Sequence, residues 1–149
     1  MLCLGCGSGG ADRLTKSEYL KKIEALASGP RARDANIQFT KVVVEPGLPR
    51  DDCATRMHRF EEDVDSLVSS VAALRPPAQV ASLHEQFVRA ARESVESVRD
   101  ATVDAEAGTL HCGPPMNKRI YGLASTARAE AAIQGLADMG YVFSLNSND

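Results

Sequence analysis

Apolar residues recur through the middle of the chain at alternating steps of four and three: Cys53, Met57, Phe60, Val64, Leu67, Val71 and Leu74. A stripe of that spacing runs along one side of an α-helix for about three heptads. The charged residues Arg56, Arg59, Glu61, Glu62 and Asp63 fall largely off it. A second stripe follows Arg75-Pro76-Pro77 through Val80, Leu83, Phe87, Ala91, Val95, Val98 and Ala101, and fades before Gly108. Proline stops the first helix and is tolerated in the first turn of the next. The two stripes predict a long antiparallel helical hairpin over 51–107, with Asp51 or Asp52 as the N-cap of its first arm.

Flanking segments add shorter helices. Thr15-x-x-Glu18 reads as a capping box, with Leu14 and Tyr19 at the hydrophobic-staple positions. The first helix is expected over 15–28, closed by Gly29 as C-cap and by Pro30. Ile37, Phe39 and the β-branched run Val42-Val43-Val44 suit either a strand or a helix, and Pro46-Gly47 and Pro49 then force a loop. Residues 108–118 read as a loop. A last helix is predicted over 125–139, with Ser125 as its cap and Ala129, Ala132, Ile133, Leu136 and Ala137 as its apolar face. Gly140 is its C′ residue, and Tyr141–Leu145 forms an extended tail. The expected fold is therefore all-α, an antiparallel bundle of about four helices built on the 51–107 hairpin. A minor two-stranded pairing of 37–44 with 141–145 is the one β element the pattern admits. A single helical domain, 14–149, follows a Gly/Ser tether over 1–13.

Composition constrains the core. Hydrophobic residues make up 44% of the chain, enough for a globular interior, yet there is no Trp and only 5% is aromatic. Ala and Val must then fill the core, which favours close helix contact over a large cavity. The net charge of −3 and the absence of a basic face remove the electrostatic footprint of nucleic-acid binding. No apolar run reaches the roughly 18 residues of a membrane helix.

The opening residues Met1-Leu2-Cys3-Leu4-Gly5-Cys6-Gly7-Ser8-Gly9-Gly10 admit three readings. Leu4-Gly5-Cys6 resembles the end of a bacterial lipobox, which implies that the Cys6 thiol carries a diacylglycerol and that the following Gly/Ser stretch is a flexible tether. Cys3 and Leu4 depart from the usual lipobox residues, and a basic and apolar leader upstream of Met1 is required. Gly5-x-Gly7-x-x-Gly10 also fits a nucleotide-binding turn and resembles the cofactor loop of S-adenosylmethionine-dependent methyltransferases. That loop needs a β-α-β unit, with Glu45 as the nearest candidate ribose-binding acid. Cys3-x-x-Cys6 as a metal or redox pair lacks a second pair at finger spacing.

The tether followed by Leu14-Thr15-Lys16-Ser17-Glu18-Tyr19-Leu20-Lys21-Lys22, with the later Leu74-x-Pro76-Pro77-Ala78 turn and His84, resembles small helical lipoproteins of high-GC Gram-positive bacteria. The likeness covers residues 3–28 and 64–90. The helix-1 cysteine of many relatives is replaced here by Ala25–Ala27. The resemblance implies attachment to the extracytoplasmic face of the cell membrane and no catalytic residues.

Few residues offer chemistry. Cys53 opens the first arm of the hairpin and Cys112 follows the second, so an antiparallel arrangement makes them neighbours. A disulfide between them would contribute about 4 kcal/mol on the chain-entropy account and suits an oxidising compartment. Cys53 as a plain core residue is the alternative. His111, Cys112 and Met116 are a candidate soft-metal set, which Met57 and His58 would extend. His58 is expected to be solvated and His84 to pack at the edge of its stripe. No Glu-x-x-His, His-Glu-x-x-His or Gly-x-Ser-x-Gly motif occurs. The expectation is a lipid-anchored binding or structural module of the cell envelope, without a cofactor or inferred catalytic activity. Its partner would be an envelope protein, a glycan or a small molecule. A divergent methyltransferase using Gly5–Gly10 and a soft-metal carrier are the alternatives.

Overall fold

A computed structural model of the protein describes residues 12–143. The described residues form six α-helices and no strand: α1 (Lys16–Ala27), α2 (Pro30–Val44), α3 (Arg50–Ala72), α4 (Ala81–Ala107), α5 (Pro114–Tyr121) and α6 (Ala124–Asp138). A 3-10 turn, Ala78–Val80, leads into α4. The all-α expectation holds, with two more helices than anticipated.

The α3–α4 hairpin is the spine. Cys53, Met57 and Phe60 are buried along the first half of the α3 stripe, whereas Val64, Leu67, Val71 and Leu74 in the second half are only partly covered. α4 buries more than one stripe because α3 and α6 both pack on it. His84, Val88, Ala90, Thr102 and Ala105 therefore join the predicted core positions. Gly135 permits the close approach of α6, since a Cβ there would come within 2.9 Å of Leu83 Cδ2.

Thr15 caps α1 as its sequence predicts. Its hydroxyl accepts from the Glu18 N–H at 3.3 Å, and its own N–H donates to Glu18 Oε2 at 2.8 Å. Ahead of it, the Leu14 N–H donates to the Arg75 carbonyl at 2.9 Å, which ties the start of the domain to the hairpin turn. Gly29 does not close α1 in a left-handed conformation. Its φ is −71°, and it serves as N-cap of α2 with Pro30 in the first turn.

Residues 37–44 lie in α2, so they are no strand, and no strand occurs among the described residues of the tail. Ala35, Val42 and Val43 are buried with Phe39 half-buried between them, a helical spacing that outweighs the β-branched run. Asp51 and Asp52 lie in the first turn of α3, where they favour the helix dipole, but the cap position is Pro49. Ser125 likewise is not a cap. It is buried one position inside α6, where its hydroxyl accepts from Ser94 at 2.9 Å.

Part of the 108–118 segment is helical: Gly113 turns the chain at φ 95° and Pro114 begins α5. At the end of α6, Gly140 (φ 79°) forms a Schellman motif, with Gly140 N–H on Ala137 O at 2.8 Å and Tyr141 N–H on Leu136 O at 2.9 Å. The turn sends Tyr141 into the core beside Leu136, rather than into a sheet.

Candidate functional site

Two clusters of buried residues occupy opposite ends of the hairpin. At one end α2, α3, α4 and α5 meet around Met57, Phe60, Ala101 and Met116. Cys53 and Cys112 are joined there by a disulfide, Cα–Cα 5.8 Å, across a sequence separation of 59. The neighbouring Gly113 N–H donates to Val42 O at 2.7 Å, so this end is fastened covalently and by backbone.

That geometry breaks up the soft-metal set. The Cys112 thiol is consumed by Cys53, Met116 is fully buried in the apolar cluster, and His111 is exposed. No group of three or more His, Cys, Asp or Glu suited to a metal ion occurs among the described residues. His58 is solvent-facing as expected, its Nε2 2.6 Å from Glu106, which pushes the imidazole pKa up.

The other end is built differently. Tyr19, Val80, Leu136 and Tyr141 are buried, with Ile23, Leu74, Leu83 and Phe143 partly covered around them. Tyr19 packs edge-on against Tyr141 and Phe143. Its hydroxyl lies 3.0 Å from His84 Nδ1. Burial, and secondarily the nearby Tyr141, push the Tyr19 pKa up to about 12. Burial also lowers the pKa of His84, so both partners are held neutral. His84 is 4% exposed, and its Nε2 is buried with no hydrogen-bond partner. Such an orphaned polar atom costs about 1–3 kcal/mol.

Beside Tyr19 an apolar crevice of about 240 Å³ opens between α1 and the bundle. Tyr19, Ile23, Leu26 and Ala27 of α1 form one wall, with Ala32 of α2 at its corner. Leu67 and Val71 of α3, Phe87 of α4, and Ile133 and Leu136 of α6 form the rest, with Phe143 at the tail. The cause is local. α1 ends at Ala27, Gly29 turns the chain, and the small side chains of Ala27 and Ala32 leave unfilled the space over the second half of the α3 stripe. The half-burial of Leu67 and Val71 is the trace of that gap. The two arms of the sequence pattern name these residues, but periodicity alone does not tell a covered position from one facing a crevice.

Cys6 and the Gly5–Gly10 turn lie outside the described residues. A nucleotide-binding turn needs a strand before it and a sheet around it, and the described residues supply neither. Glu45, the candidate ribose acid, ends α2 and pairs with Lys41. Among the described residues no helix is long and apolar enough to cross a membrane. The chain matches no family of known proteins, no curated protein and no solved structure.

Proposed function

We propose that this protein is a lipid-anchored binding module of the extracytoplasmic face of the cell membrane, held by a diacylglycerol on Cys6. Its partner is a small, largely hydrocarbon molecule seated between α1 and the hairpin. The apolar crevice carries this reading. Its walls are aliphatic and aromatic side chains, so it offers a glycan none of the hydrogen-bonding edges that glycan recognition needs. Its volume lies below the roughly 300–1,000 Å³ of drug-sized sites, and above the roughly 150 Å³ apolar cavity that accepts benzene. A single ring or a short branched chain is the fitting size. The Cys53–Cys112 bond supports the compartment, because structural disulfides persist where the surroundings are oxidising. A diacylglycerol gives two acyl chains, and two are needed for stable anchoring.

Two measurements test the two halves separately. Titration of the full chain with the apolar fluorophore N-phenyl-1-naphthylamine should show saturable binding, and the crevice-filling changes Ala32→Leu and Val71→Phe should each abolish it while the helical circular dichroism stays intact. Equal binding by the filled variants would remove the crevice as the site. Expression with the native upstream sequence should give a protein that incorporates labelled palmitate, and Cys6→Ala should abolish incorporation. Unlabelled wild-type protein would remove the anchor.

A further inference from the structure

Of the 12 residues of α1, only Tyr19 is buried. Leu20, Ile23 and Leu26 are partly covered, and the helix leads into α2 through Ser28 and Gly29. Tyr19 therefore anchors α1, and the same side chain forms part of the wall of the apolar crevice. Its hydroxyl ends on His84 Nδ1, so the protonation of one imidazole bears directly on how α1 sits. His84 itself does not line the crevice and reaches it only through Tyr19.

The surroundings of that imidazole do not suit a second proton. Its Nε2 is buried and has no hydrogen-bond partner among the described residues, and Nδ1 meets a phenol rather than a carboxylate. Both tautomers lead to the same end. If Tyr19 donates to Nδ1, the added proton lands there and the phenol loses its acceptor. If Nδ1–H donates to Tyr19, the added proton lands on Nε2, where nothing accepts it. Either way the imidazolium holds a buried N–H without an acceptor, which is costly away from water.

The charged groups around the ring do not compensate. Arg13, ahead of α1, and Arg75, at the hairpin turn, line the recess on one side together with Glu85. Arg89, Arg92, Glu93 and Glu96 line its continuation along α4, where Glu93 is paired with Arg128 and Glu96 with Arg99. α3 contributes the uncharged Ala72 to both. Behind Tyr19 stand Leu136 of α6 and Tyr141, with Lys16 over the Tyr141 ring at 4.9 Å. Glu85 favours protonation of His84, but burial outweighs it and holds the pKa below its ordinary value.

We propose that α1 is an acid-released latch on the apolar crevice. Protonation of His84 breaks its tie to Tyr19, α1 lifts from the bundle, and the crevice loses the wall that holds its hydrocarbon ligand. Release of a ligand in this way rests on the crevice being the binding site. An element with little buried surface opens before the rest of a fold, and α1 has one buried side chain. The other end of the hairpin takes no part, because the Cys53–Cys112 bond and the Gly113 tie to Val42 fasten it independently.

The test uses the full chain with its disulfide intact. Affinity for N-phenyl-1-naphthylamine, His84 ring shifts and amide protection factors are followed downward from above the ordinary histidine pKa of 6.5. Affinity should be constant above 6.5 and fall by up to about tenfold per pH unit below the folded pKa of His84. Over the same range the Ile23 and Leu26 amides should lose protection while the Gly113 amide keeps it. Saturating fluorophore should move the His84 titration to lower pH, since a ligand that favours the closed state opposes the proton. His84→Gln cannot be charged, so its affinity should not change with pH. Glu85→Lys lies at an exposed position outside the crevice and tests the latch where His84→Gln does not fold. It should shift the His84 titration and the loss of affinity together to lower pH. Affinity that stays constant through the His84 titration, an acid loss that persists in His84→Gln, or α1 and Gly113 losing protection together would each overturn the latch. Absence of binding above 6.5, with α1 still opening as His84 titrates, would instead overturn the crevice reading and leave the opening of α1 standing.

Discussion

Tyr19 and His84 meet across 65 positions of sequence, the phenol oxygen 3.0 Å from Nδ1, and their contact is a buried side-chain hydrogen bond that holds α1 to α4. Around it α1 is fixed by hydrocarbon packing and by Leu14 on the Arg75 carbonyl. Tyr19→Phe removes one hydroxyl and leaves both ring nitrogens of His84 buried without a partner. The expected loss is about 1–3 kcal/mol in urea unfolding. His84→Leu in the Tyr19→Phe background should recover part of it, because removing both polar partners is less costly than orphaning one. A double-mutant cycle showing additive losses would mean that the hydrogen bond contributes nothing.

The same pair makes stability depend on pH at both ends. Burial lowers the folded pKa of His84 below its ordinary 6.5. Below pH 6.5 the unfolded chain takes up a proton that the folded one refuses, so this contribution is complete above 6.5 and is lost as pH falls through the folded value. Tyr19 acts in the opposite direction. Its pKa is raised from 10.0 to about 12, so its contribution is complete below 10 and is lost as pH rises towards 12. His58, whose pKa is raised by Glu106, contributes below 6.5 and loses that contribution as pH rises through its folded value, but half-exposure on both partners keeps its effect small. Unfolding free energy should therefore fall on the acid side of 6.5. Proton NMR should place the His84 titration below 6.5 and that of His58 above it. An acid-side slope that survives in His84→Gln would assign the dependence elsewhere.

What the sequence discloses and what it conceals follow from the range of the forces involved. Thr15 and Glu18 satisfy each other within three residues, so the start of α1 is readable locally. The two stripes of α3 and α4 are likewise written in the spacing of their own residues. Cys53 and Cys112 become legible once the hairpin is inferred, because antiparallel arms of similar length bring those ends together. Gly29 and Ser125 mislead for a common reason: each is a good cap residue whose role is reassigned by a neighbour, Pro30 in one case and the half-buried hydroxyl of Ser94 in the other. Pro114-Pro115 reads as loop yet opens α5, since missing N–H groups cost nothing in a first turn. The crevice is the least readable feature. It arises from where α1 stops relative to α6, a tertiary offset with no local signature, and Ala32 gives no sign of it in sequence.

The disulfide should dominate the stability of the α2–α3–α5 end. It closes a separation of 59 residues, which the chain-entropy account converts to about 4 kcal/mol. Both cysteines are buried, so alanine also leaves a small unfilled space and adds a packing loss to that of the cross-link. Cys53→Ala with Cys112→Ala is expected to lower unfolding free energy by that amount or more, with full helicity retained in the absence of denaturant. Reductant should destabilise the wild type towards the double variant and leave the variant unchanged. A wild type indifferent to reductant after unfolding would show that the two thiols are not joined.

Gly113 and Gly47 separate backbone strain from crowding. Both have positive φ, 95° and 82°. A Cβ at Gly47 would meet nothing within 4 Å, so Gly47→Ala carries only the conformational penalty of about 1–2 kcal/mol. At Gly113 the backbone lies at φ 95°, ψ −146°, near a region that only glycine enters readily, and a Cβ would come within 3.3 Å of Pro46 Cα. Its N–H also fixes the chain to Val42 O, and Cys112 is its neighbour in the disulfide. Relief by moving the loop would pull on both attachments. Gly113→Ala should therefore cost more than Gly47→Ala, by about 1–3 kcal/mol in urea unfolding, and should expose the Gly113 amide to faster hydrogen exchange. Equal losses at the two positions would mean that the α2–α5 junction yields freely, and that the disulfide and the apolar cluster around Met57 and Met116 hold this end of the bundle without it.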